Sequence, residues 1–140
     1  MDITLEQASK IIDVALKRST EAGYKPMAVV VIDASGHTKC VQRQDGASMF
    51  RIDIATGKAW ASIAMGAASR VLTQRAKDLP AFFGALAATG NGKFIPQTGA
   101  VLIKDAQGQV IGAAGASGGT GDEDEAICIA GIEAAGLQSG

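Results

Sequence analysis

One histidine, His37, and two cysteines, Cys40 and Cys128, are all that this sequence holds of three residue types that metal sites and nucleophilic catalysis use most. Chemistry that needs an imidazole must therefore use His37 or borrow one from another subunit. The cysteines stand apart, with neither the paired spacing of a zinc site nor a redox Cys-x-x-Cys, so two reduced, packed thiols are expected. An excess of one charge is also missing: Lys and Arg number 13 against 14 for Asp and Glu, a net charge of −1. Without a broad basic field to attract a phosphate backbone, nucleic acid is not an expected partner. Long apolar runs are absent too. The longest, Met27 to Ile32, falls far short of the ~20 residues a helix needs to span a bilayer, so no membrane partner is expected. The opening Met1-Asp2-Ile3-Thr4-Leu5-Glu6-Gln7 lacks the basic and apolar regions of a secretory signal, and the expectation is a cytoplasmic protein.

What is present suits one domain over residues 1–140. A chain of this size removes roughly 68–70% of its unfolded surface from water, and 47% apolar residues are enough for that core without staples. Thr4 followed by Gln7 fits a capping box, and Leu5, Ala8, Ile11, Ile12, Ala15 and Leu16 recur at helical spacing, predicting a helix to about Ala22. Gly23 ends it and Pro26 prevents its resumption. The period then changes. Met27 to Ile32 is rich in β-branched residues, Asp33-Ala34-Ser35-Gly36 supplies a tight turn, and a second strand runs from about His37 to Arg43. The arrangement returns at Leu102-Ile103-Lys104, Asp105-Ala106-Gln107-Gly108 and Val110-Ile111-Gly112. Two similar hairpins predict an α+β fold: an antiparallel sheet with helices covering one face. Between the hairpins, Met49 to Met65 reads as one or two turns and then a helix. Ser69 and Asp78 are candidate caps for two short helices, with Pro80 near the start of the second. A last helix is expected from about Asp122 to Ala135, stopped by Gly136.

His37 sits at a hairpin turn, where it is either a ligand or proton shuttle or simply a solvent-facing turn residue. Strand alternation puts His37, Lys39, Val41 and Arg43 on one face and Thr38, Cys40 and Gln42 on the other. His37 and Arg43 then lie roughly 20 Å apart, too far for one small site within a subunit. Arg43 either contacts a large planar ligand or merely ends its strand before Gln44-Asp45-Gly46-Ala47. The glycine-rich stretch Gly115 to Gly121 lies between a strand and a helix, where phosphate loops occur, but Asp122, Glu123, Asp124 and Glu125 would repel an anion there. Its reading is a turn that allows close backbone packing, with Ser117 and the loop N–H groups left to bind a neutral polar group. The four carboxylates are best explained as a charged helix start, and no more than two can converge on one ion. Lys58, on the helix near Trp60, is either solvated or, if buried, poised for acid–base chemistry.

Val30-Val31-Ile32-Asp33-Ala34-Ser35-Gly36-His37, Arg43-Gln44-Asp45-Gly46-Ala47, Lys58-Ala59, Phe94-x-Pro96-x-x-Gly99 and Ile111-Gly112-Ala113-Ala114-Gly115-Ala116-Ser117-Gly118 together resemble the GlcG/HbpS family in order and spacing. The closing Asp124-Glu125 before a small-residue helix resembles it too. The resemblance implies a profilin-like architecture related to the PduO C-terminal domain, homo-oligomers and haem association. In the exported branch it implies sensing or detoxifying of haem and peroxide, and this chain looks closer to short cytoplasmic members found beside catabolic genes. The match at Asp-Ala-x-Gly-His selects His37 as the candidate iron ligand. Three functions follow as expectations. The first is haem binding at an intersubunit surface, in haem or redox handling, with His37 axial, Arg43 or Lys58 facing the propionates and Ser117 in the cofactor site. The second is a haem-independent enzyme or accessory of a catabolic pathway, acting on an organic acid with Lys58, His37 or Glu125 as acid–base groups. The third is a scaffolding oligomer packed through Ala and Gly.

Overall fold

A computed structural model describes residues 2–140. In chain order the elements are α1 (Leu5–Glu21), β1 (Ala28–Asp33), β2 (Thr38–Arg43), α2 (Phe50–Met65), α3 (Ser69–Asp78), α4 (Pro80–Thr89), β3 (Ala100–Lys104), β4 (Val110–Ser117), α5 (Gly121–Ala134) and β5 (Gln138–Ser139). The helix starts follow local chemistry. The predicted capping box closes α1: the Gln7 N–H donates to Thr4 Oγ1 at 3.1 Å, and the Thr4 N–H to Gln7 Oε1 at 3.0 Å. A second box, unforeseen, starts α5 through Thr120 and Glu123. Ser69 and Asp78, expected as caps, are not. Ser69 is the first residue of α3, and its buried hydroxyl instead bonds both the N–H and the carbonyl of Ala100, tying α3 to β3. Asp78 accepts from Gln74 one turn back.

The two hairpins form as expected and close with the same turn. Asp33 Oδ1 accepts the N–H groups of Ser35 and His37, while Asp105 Oδ1 accepts those of Gln107 and Gln109. Gly36 and Gly108 take the left-handed φ that each turn needs, +87° and +79°. Pairing β1 with β4 joins the hairpins into one antiparallel sheet of order β2-β1-β4-β3-β5. Its fifth strand is the short C-terminal β5 against β3, which has too few residues to show a period.

Helices cover both faces of the sheet, not one. Val29, Val31, Val101 and Ile103 pack under α1 and α5, while Val30, Ile32 and Leu102 pack under Ala55 and Ala59 of α2. The reason is written in β1, whose unbroken apolar run is that of a strand buried on both sides. Each such Val or Ile contributes roughly 1.5–3 kcal/mol by leaving water. Because β1 is apolar at every position from Ala28 to Ile32, its pattern cannot select a register, and the Asp33 to Gly36 turn does so instead. A bulge opposite Val31 and Ile32 makes Lys39 the extra residue, so Val31 faces Cys40 and Ile32 faces Thr38. Thr38 therefore shares a face with Val41 and Arg43, contrary to simple alternation, and His37 precedes β2 in the turn. No described helix is long and apolar enough to cross a membrane.

Candidate functional site

The register separates the candidate residues. Ala28 pairs with both Arg43 and Ser117 at one end of the sheet, whereas Asp33 and the His37 turn lie at the other.

At the first end Lys58 is buried, 5% exposed, although lysine is among the residues least often buried. It lies two turns after Arg51 on the same face of α2. Its Nζ donates to Asp124 Oδ2 at 3.0 Å and to the carbonyl of Ala116 at 3.1 Å. Asp124, 2% exposed, also accepts the Gly119 N–H at 2.9 Å. Burial pushes the Asp124 carboxyl above its ordinary value, and Lys58, the Gly119 N–H and Arg51 pull it back only in part. Arg51 donates to the buried Ser117 Oγ at 3.2 Å. These side chains, with Thr98 and Thr120, line a pocket of about 480 Å³. Lys58 and Ser117 thus come together as sequence candidates, while Arg51 and Asp124 were missed as members. The seven-residue step from Arg51 to Lys58 was the available signal for the first. Asp124 stood among the four carboxylates of a helix start, and nothing local set it apart from them, since its partner lies 66 residues away.

The remaining acidic residues are engaged outside this pocket's floor. Glu125 accepts from Arg70 Nε through both oxygens at 3.2 Å, and Asp122 bonds the same guanidinium. Glu123 caps α5. Glu125 is therefore in an ion pair with Arg70, and among the described residues it is hydrogen-bonded to neither Lys58 nor His37. Among the described residues no cluster of three His, Cys, Asp or Glu side chains is placed to hold a metal ion.

At the other end, the His37 side chain is 82% exposed, with Nδ1 3.8 Å from Asp33 Oδ1, beyond hydrogen-bond reach. It opens on a groove of about 950 Å³ between the β1–β2 turn, α2 and the α4–β3 connection, with Phe50, Ile52, Trp60 and Lys93 along its walls. The His37 and Ser35 N–H groups hold Asp33. The first of these bonds is the largest cause of a carboxyl pKa below the ordinary 3.8. A carboxyl depressed on folding stabilises above its unfolded value, and that stability fades as pH falls through its folded value. An NMR titration of Asp33 is expected to give a midpoint below 3.8; a midpoint at or above it would mean the turn bonds do not persist in solution.

Arg43, though at the first end of the sheet, lines neither of these two cavities. Its Nη1 donates to the Ala47 carbonyl, and it borders a third depression with Tyr24 and Gln44, so it closes the strand end as one of its two readings had it. Both cysteines are free. Cys128 is packed in the core, where burial drives its thiol pKa far upward, and Cys40 is half-buried beside Ser9.

A family model described as haem degrading protein HbpS-like matches residues 3–133. The chain is 25% identical over 139 residues to the corrinoid adenosyltransferase PduO of Citrobacter freundii, covering 99% of this chain and 41% of that protein. It therefore spans less than half the length of that relative. Among solved structures, a PduOC–haem complex superposes with a TM-score of 0.86 at 25% identity, over 100% of this chain and 98% of the other. The Klebsiella pneumoniae protein ORFY does so with a TM-score of 0.86 at 28% identity, over 96% and 90%. The α+β fold read from the sequence is the fold of these relatives.

Proposed function

The chain belongs to the HbpS-like family, and on that premise we propose that it binds haem in the groove beneath His37, whose imidazole would hold the iron. The observation that carries this reading is the lone histidine, its ring nitrogens without hydrogen-bond partners among the described residues, standing over a groove walled by aromatic side chains. Phe50, Ile52 and Trp60 suit the apolar face of a porphyrin, and Lys93 supplies a cation for a propionate. Lys93 takes the place first given to Arg43 and Lys58: the former lies at the opposite end of β2, and the latter is buried against Asp124. When bound, haem would supply the iron chemistry of redox handling. The chain's own residues would hold it, orient it and exclude water.

Met49 and Phe50, 83% and 62% exposed, stand close to this groove and suit a site closed by a second copy of the chain. Two free cysteines suit a reducing compartment such as the cytoplasm.

A tag-free protein titrated with haem is expected to give a saturable Soret band at fixed stoichiometry, lost or shifted in His37→Ala. Because His37 is exposed and outside the strands, that variant should melt like the native protein. Unsaturable binding that is the same in both proteins would sink the assignment.

A further inference from the structure

The pocket at the opposite end of the sheet has more donors than acceptors, those of Lys58 and Ser117 buried and those of Arg51 half-buried. Lys58 carries three N–H bonds, and among the described residues only Asp124 and the Ala116 carbonyl accept from it. Ser117, 1% exposed, uses its oxygen to accept from Arg51, and among the described residues its own O–H has no acceptor. Arg51 has five N–H bonds and one protein acceptor, and no carboxylate lies within ion-pair distance of it among the described residues. The charges agree with this count. Lys58 and Asp124 cancel, Asp122 at the rim is paired with Arg70, and Arg51 remains as one uncompensated positive charge.

Buried polar groups are normally satisfied, and a donor surplus around a cavity calls for an oxygen acceptor from outside the chain. We propose that this pocket is a second binding site, for a small carboxylate of single negative charge. The Arg51 fork matches the two coplanar oxygens of such a group, and Ser117 and Lys58 are placed to donate to it from the pocket floor. A lone helix start would attract any anion. A planar fork beside a neutral floor favours a carboxylate over a dianion, for which one free cation is too little.

The test is an NMR titration of haem-free protein with pyruvate as probe, against sodium chloride at matched ionic strength and against inorganic phosphate. Its outcome is independent of the Soret experiment. Saturable shifts of the Ser117, Gly119 and Gly121 amides are expected with pyruvate and not with chloride. Arg51→Gln should weaken them roughly tenfold or more, the weight of a charge-assisted pair. Arg51→Lys, which keeps the charge but loses the fork, should fall between the two, and both variants must keep the native amide pattern elsewhere. Equal response to chloride, tighter binding of phosphate, or unchanged affinity in folded Arg51→Gln would each overturn the proposal.

Discussion

Lys58→Met is expected to lower the unfolding free energy by about 3–5 kcal/mol at neutral pH, the cost of leaving one member of a buried ion pair alone. Asp124 would keep the Gly119 N–H and lose the ammonium 3.0 Å away. The pH dependence follows from the direction of its shift. Burial already holds the Asp124 carboxyl above 3.8, so the folded state binds the proton more tightly than the unfolded chain. Its contribution is most favourable below that unfolded value and is lost as pH rises through the folded one. Removing Lys58 raises the folded value further and widens that window upward. The defect of Lys58→Met should therefore shrink near pH 4, where the carboxyl can fold protonated. Replacing both partners, Lys58→Met with Asp124→Leu, should recover most of the loss, since an apolar pair of similar volume can match a buried salt bridge. Urea denaturation of the native chain and the two variants at both pH values decides the matter. A Lys58→Met chain as stable as the native one at neutral pH would show that the pair is hydrated in solution.

Gly131→Ala sets two effects of opposite sign against each other. Alanine is the better helix former by about 0.8–1.0 kcal/mol in a helix interior. Yet at residue 131 of α5 an added Cβ would collide with the backbone oxygen of Ile11 in α1 and lie 3.0 Å from its Cγ2. A backbone atom cannot swing aside, so the two helices must part, and overpacking of this kind costs roughly 1–3 kcal/mol or more. The steric effect wins, and a net loss of about 2 kcal/mol is expected. Gly84→Ala is the matched control: residue 84 is exposed on α4 and a Cβ there meets nothing within 4 Å. It should stabilise by up to about 1 kcal/mol. Thermal melts showing the same sign for both variants would mean that α1 and α5 do not approach as closely as their packing implies.

What could be read from the sequence depended on how far apart the interacting groups lie along the chain. The Thr4 capping box, the twin aspartate turns and the α1 periodicity are settled by residues at most a few positions apart, so they were legible before any fold was known. Ser69 had the side chain of a cap, but a carbonyl and an N–H from β3 offered it buried partners. Lys39 followed the alternation of β2 until pairing with β1 placed a bulge there, turning Thr38 to the other face. The candidate site divided in the same way. Residue type alone made His37 the imidazole to consider, since there is no other. That Lys58 is buried against Asp124, that Glu125 is paired with Arg70, and that His37 and the Lys58 pocket lie toward opposite ends of one sheet all depend on contacts across tens of residues. Local sequence determined the elements and their turns because short-range hydrogen bonds and side-chain period select them. Only the tertiary structure decided which charges would be buried together, because desolvation and pairing act on groups that the chain brings into contact only when it folds.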